Sequence, residues 1–104
     1  MDIVNDKNFD AEVKKSNVPV IIDCFADWCG PCRMVGPIME KLSDEYGGDV
    51  IVAKVNVDNE RMLAGKFDVM SIPMVALIKD GKIMQKVVGA RPIGFYKKMV
   101  DQVI

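Results

Sequence analysis

The chain has 104 residues, half of them hydrophobic and 28% charged, with 14 Lys+Arg against 15 Asp+Glu for a net charge of −1. That length suits one domain over residues 1–104, and the even charge balance leaves no broad electrostatic footprint for nucleic acid or an anionic membrane. Histidine is absent and cysteines number three, which excludes imidazole bases, Ser–His and Cys–His nucleophilic pairs, His-bearing metal sites and a disulfide framework.

Residues 1–17 scatter acids and lysines among the apolar positions, unlike the continuous apolar stretch of a signal peptide. No apolar run approaches the ~20 residues of a membrane helix. The odd thiol count points to a reducing compartment, so a cytoplasmic protein is expected. Ile3–Val4 reads as a short first strand. Asp6 is placed to cap a helix to about Lys15, with Phe9 and Val13 one turn apart on its buried side. Val20-Ile21-Ile22-Asp23-Cys24-Phe25 reads as a strand covered on both faces, with one acid inside it. A second helix follows Trp28–Cys32, its apolar face carried by Val35, Ile38, Met39, Leu42 and Tyr46. Pro37 falls in its interior as a kink, and Gly47–Gly48 close it.

Val50–Val57 is the next buried strand, and Asp58 is placed to cap a short helix to about Lys66. Met74–Lys79 and Lys82–Val88 flank Asp80–Gly81, a strong two-residue hairpin signal, so these strands are expected antiparallel. Pro92 opens a last helix with Ile93, Tyr96, Val100 and Val103 as its apolar stripe. The order β-α-β-α-β-α-β-β-α argues for an α/β fold, a mixed sheet with helices on both faces.

The chemistry concentrates in Trp28-Cys29-Gly30-Pro31-Cys32. A Cys-x-x-Cys pair between a buried strand and an amphipathic helix puts Cys29 at a helix N-terminus. There, unpaired backbone N–H groups and the helix dipole favour its thiolate. Pro31 suits the first helical position, and Gly30 has no side chain to cover the sulfur. Residues three apart inside a helix have Cβ atoms about 5–6 Å apart, and a disulfide needs roughly 3.5–4.5 Å. Cys29 therefore belongs at the cap, exposed as the attacking thiol, with Cys32 in the first turn, shielded as the resolving one. The alternatives are a pair of structural thiols or half a zinc site; without histidine or a second Cys-x-x-Cys, zinc has too few ligands here.

The chain resembles the thioredoxin family over nearly its whole length. The active-site motif, Asp23, Lys54, Pro37, the Ile72-Pro73 loop, Gly81 and Gly89 all stand at the family's spacings. The resemblance implies a thioredoxin-like fold, a central mixed sheet of four or five strands flanked by four helices. It implies a redox disulfide between Cys29 and Cys32, a cis bond before Pro73, and reduction of protein disulfides through a mixed disulfide. The implied binding surface for disulfide-containing clients is Trp28, Gly30, Pro31, Val57, Ile72, Pro73, Val88 and Gly89. On pattern alone, Val57 and Val88 read as core. No flavin or nicotinamide fingerprint is present, so no cofactor is expected, and electrons are expected from a separate thioredoxin reductase. A monomer is expected. A redox-silent scaffold, an oxidase or isomerase, and a glutaredoxin are the alternatives. Intact cysteines argue against the first, the lack of histidine between them against the second, and the motif itself against the third.

Three positions depart from the family pattern near the site: Phe25, where many members have tryptophan, Cys24 in the strand, and Met74 after the proline. Asp23 is expected to exchange a proton with Cys32, with Lys54 modulating it. The structural alternatives are an acid held by an ion pair or backbone donors, and a snorkelling edge lysine. Cys24 reads as a small buried hydrophobe facing away from Asp23. The methionines after Met1 read as core filler, with an adaptable client surface at Met70 and Met74 as the alternative.

Overall fold

The computed structural model describes residues 1–104. Five strands form one mixed sheet: β1 (Asp2–Ile3), β2 (Val20–Phe25), β3 (Ile51–Asn56), β4 (Met74–Lys79) and β5 (Lys82–Val88), in the spatial order β1-β3-β2-β4-β5. β3 pairs in parallel with β1 and β2, whereas β2–β4 and β4–β5 are antiparallel. Four helical elements flank the sheet: a π-helical turn at Asp10–Lys14, α1 (Cys32–Tyr46), α2 (Arg61–Lys66) and α3 (Ile93–Asp101). A short 3-10 turn, Gly47–Asp49, links α1 to β3.

Alternation along the strands splits the core into two layers. Val20, Ile22 and Cys24 of β2 join Ala53, Val55, Met74, Ala76 and Ile78 on one face, under Phe9, Val13, Leu63 and Phe67. Ile21, Val52, Val75 and Leu77 face the other way, under Val35, Met39 and Leu42 of α1 and Tyr96, Met99 and Val100 of α3. Asp23 and Lys54 stand on the α1 side by the same alternation. The central strands are covered on both sides, as their unbroken apolar runs require. α1 runs unbroken past Pro37. At its far end the Tyr46 hydroxyl donates to Asp101 Oδ1 at 2.7 Å, tying α1 to α3.

The Asp80–Gly81 hairpin is as expected. Both residues have positive φ, 53° and 76°, the backbone of the turn type that Asp-Gly favours. A Cβ on Gly81 would also lie 3.3 Å from Lys14 Cγ and Lys14 O.

The two expected helix caps are corrected. Asp6 does not cap the helix that follows it. That helix has no side-chain cap; Asn5 and Asn8 close the turn before it, Asn8 N donating to Asn5 Oδ1 and Asn5 N to Asn8 Oδ1, both at 2.8 Å. The helix itself is a π-helical turn rather than an α-helix from Asp6. Asp6 instead accepts from Leu63 N (3.0 Å) and Met62 N (3.4 Å), and Glu60 Oε1 accepts from Asp6 N at 3.0 Å. The orphan donors of α2 are thus met from across the chain, leaving Asp58 for another partner. Sequence spacing shows only caps local to their own helix, which is why these were misplaced. No helix is long and apolar enough to cross a membrane.

Candidate functional site

The Cys-x-x-Cys segment lies where β2 gives way to α1. Cys29 N donates to Ala26 O at 3.1 Å, turning the chain out of the sheet, and Arg33 N to Gly30 O at 3.0 Å, starting the helix. Pro31 already has helical φ and ψ of −60° and −27°, and its missing N–H would have had no partner there. Cys29 and Cys32 are disulfide-bonded, with Cα atoms 5.4 Å apart. The Cys32 backbone N–H donates to Cys29 Sγ at 3.3 Å. The sulfur thus takes the place that a side-chain oxygen holds in an ordinary N-cap. The positive end of the 15-residue helix lies at the same point, a setting that favours a thiolate over a thiol.

The expected contrast in exposure is corrected. Both cysteines are buried in the disulfide-bonded structure, Cys29 3% and Cys32 5% exposed. The two differ in their surroundings instead: Cys32, and not Cys29, lines a cavity of 370 Å³ on the α1 side of the sheet.

Asp23, Phe25, Arg33, Glu40 and Lys54 line the same cavity. Asp23 is 2% exposed, and its Oδ1 has no hydrogen-bond partner. Burial pushes its carboxyl up from 3.8 to about 6, and the charge of Lys54 opposes this without cancelling it. Lys54 sits in register with Asp23 across the parallel β2–β3 pair. Its Nζ lies 5.7 Å over the Phe25 ring centroid, and the one ion pair of the chain is elsewhere, between Lys97 and Glu45. Lys54 is an interior-strand residue, since β3 lies between β1 and β2. Cys24 packs in the opposite layer. Burial first, and the charge of Asp23 second, push its thiol up to about 12, so it stays protonated and unreactive.

The other expected residues gather around the thiols. Trp28 is 69% exposed, and its Nε1 donates to Asp58 Oδ2 at 2.8 Å. Trp28, Val57, Val69, Met70, Ser71 and Ile72 line a shallow groove. Gly30 and Pro31 are exposed at the turn. The Ile72–Pro73 bond is cis, and Pro73 O accepts from Gly89 N at 2.9 Å. Gly89 takes φ of 91°, where side chains are strained. Tyr96 fixes this corner, its hydroxyl accepting from Arg91 N (3.1 Å) and donating to Gly89 O (3.5 Å).

Val88 is exposed rather than core, because β5 is the sheet edge and has little cover there. Val57 is half-buried against the Cys24 layer. The methionine expectation also fails in part: Met34, Met62, Met70 and Met84 are exposed, and Met39, Met74 and Met99 are core. Met70 lines the groove and Met74 does not. Sequence reasoning missed Asp58, Val69, Ser71 and Tyr96. Asp58 meets Trp28 from 30 residues away, and although Tyr96 reaches back only to Arg91 and Gly89, no local pattern marks any of the four for the site.

The profile of the family described as Thioredoxin matches residues 1–102. A thioredoxin of Chlorobaculum thiosulfatiphilum is 44% identical over 97 residues, 93% of this chain and 90% of that protein. Thioredoxin 2 of Chlorobaculum tepidum is 42% identical over 97 residues, 93% and 89% of the two chains. A thioredoxin of Haemophilus influenzae is 40% identical over 89 residues, 86% and 83%.

Proposed function

Since the chain belongs to the thioredoxin family of thiol–disulfide oxidoreductases, we propose that Cys29 attacks the disulfides of client proteins and Cys32 resolves the complex. The Cys29 thiolate attacks one client sulfur and expels the other as a thiolate, which takes up a proton. Cys32, losing its proton, then attacks Cys29 Sγ and expels the first client sulfur. The client disulfide gains two electrons, and Cys29–Cys32 becomes the disulfide. A separate thioredoxin reductase returns the two electrons.

The observation that carries the assignment is the 3.3 Å hydrogen bond from Cys32 N to Cys29 Sγ. Kept in the dithiol, that donor would support an anion on Cys29 rather than on Cys32. Asp23 is the proton partner of Cys32: both line one cavity, and a carboxyl held near 6 is ionised at neutral pH yet basic enough to accept. Lys54 tempers that carboxyl. Clients lie across Trp28, Gly30, Pro31, Val57, Ile72, Pro73, Val88 and Gly89, their extended backbone beside Pro73 and apolar side chains in the groove next to Trp28. The protein works as a cytoplasmic monomer of one domain, with no cofactor of its own.

Brief iodoacetamide treatment of the reduced, folded protein, followed by peptide mapping, tests the roles. Cys29 is expected to label much faster than Cys32 or Cys24. Preferential labelling of Cys32 overturns them.

A further inference from the structure

Asp23 and Lys54 begin side by side, in register on adjacent parallel strands. A lysine stem is long enough to bring its ammonium onto a neighbouring carboxylate, and doing so would favour the ionised acid. The chain does not use that arrangement. No Lys54–Asp23 ion pair forms, and Asp23 Oδ1 has no partner. The ammonium instead sits 5.7 Å over the face of Phe25, within the ~6 Å range of cation–π attraction. Phe25 is two residues beyond Asp23 on β2, so both side chains leave the same face of the sheet, and both line the cavity with Lys54.

We propose that Phe25 is a positioning residue: its ring holds the Lys54 ammonium away from Asp23, and so keeps the proton on that acid more tightly than an ion pair would allow. The aromatic face and the carboxylate compete for one cation. An aliphatic residue at position 25 keeps apolar cover over the cavity but offers no negative ring face. The ammonium then moves to the carboxylate, and the acid gives up its proton more readily.

The other groups facing Asp23 do not offer the same control. From α1 and its entry come Asp27, Cys32, Arg33 and Glu40, and Met1 carries the amino terminus to the same cavity. Asp27, Arg33 and Glu40 are exposed, where solvent screens their charges. From α3 comes Tyr96, whose phenol is pushed up, chiefly by burial, and is neutral across the relevant range. β4 places Val75 opposite Asp23. On β2, Cys24 is buried and protonated.

The inference deepens the role assigned to Asp23 above, so its test reads proton affinity directly rather than turnover. The carboxyl ¹³C titration of Asp23 is followed by NMR in the oxidised protein, where neither Cys29 nor Cys32 titrates. Phe25→Leu is expected to lower the Asp23 midpoint by about half a pH unit to one unit, a three- to tenfold loss of proton affinity. Phe25→Trp, which restores a ring face, is expected to return it to the parent value or above. In a Lys54→Met background, Phe25→Leu is expected to shift the midpoint by less than a third of that amount. An unchanged or raised midpoint in Phe25→Leu overturns the proposal. So does a shift that persists in full without Lys54, which would trace the effect to burial alone. If Phe25→Leu does not fold, Phe25→pentafluorophenylalanine keeps the shape, withdraws the negative face and carries the same expectation. A midpoint shift without any change in client reduction leaves Phe25 as the positioning residue and removes Asp23 from the exchange step, so the two claims fail separately.

Discussion

In the role proposed for it, Asp23 sets function against stability. Its folded carboxyl is raised to about 6 by burial, against ~3.9 in the unfolded chain. The folded state therefore holds this proton more tightly. The favourable contribution is fully present below the unfolded value, and it is lost as pH rises through about 6. Above that, an ionised Asp23 costs about 2–3 kcal/mol. Asp23→Asn is expected to raise stability by that amount at pH 8 and to leave it nearly unchanged at pH 4, measured by denaturant unfolding at both. The same variant is expected to slow client reduction several-fold. The loss stays below the ~100-fold of strong acid–base catalysis because thiols also ionise unaided near neutral pH. A variant less stable at pH 8, with unchanged exchange, would make Asp23 an ordinary ion-pair partner. Cys24 supplies the contrast: Cys24→Val is expected to leave turnover within about twofold, because the thiol faces the opposite core layer. A loss like that of Cys29→Ser would contradict this. Asp23 and the two active thiols were legible in the sequence because an acid in an apolar strand and a Cys-x-x-Cys before a helix are local anomalies. The Trp28–Asp58 bond and the Lys54–Phe25 contact were not, because side-chain destinations depend on what the fold leaves open.

The elements were legible where local chemistry decides them. Strands β2 and β4, the Asp80–Gly81 hairpin and the apolar faces of α1 and α3 follow from periodicity and turn residues. The caps were not, because a carboxylate meets whichever orphan N–H groups packing brings to it. Asp6 reaches α2 over a separation of 57 residues to Leu63. Asp6→Ala is expected to cost about 1 kcal/mol, to speed amide hydrogen exchange at Met62 and Leu63, and to leave client reduction unchanged. Protection at those amides equal to the parent's would show that the cap contributes nothing. At the hairpin, Gly81→Ala combines a positive φ with a close approach to Lys14. It is expected to destabilise by about 1–2 kcal/mol in denaturant titrations, and a neutral result would mean that the turn relaxes freely.

At the scale of the molecule, one sheet with two differently filled faces separates structure from chemistry. The Cys24 layer is wholly apolar. The α1 layer gives way, at the active-site end of the strands, to a charged cavity beneath the disulfide. The Trp28 groove is lined by a separate set of residues, with only Trp28 drawn from the turn that carries the thiols. The division of labour between the two thiols is tested most directly by trapping. Reduced Cys32→Ser is incubated with a disulfide-bonded client, quenched with acid and mapped by mass spectrometry, with Cys29→Ser in parallel. Cys32→Ser is expected to accumulate a stable mixed disulfide joining Cys29 to the client, and Cys29→Ser to accumulate none. Equal trapping by the two variants, or a client bond to Cys32 in the Cys29→Ser protein, would contradict the assignment of Cys29 as the attacking thiol.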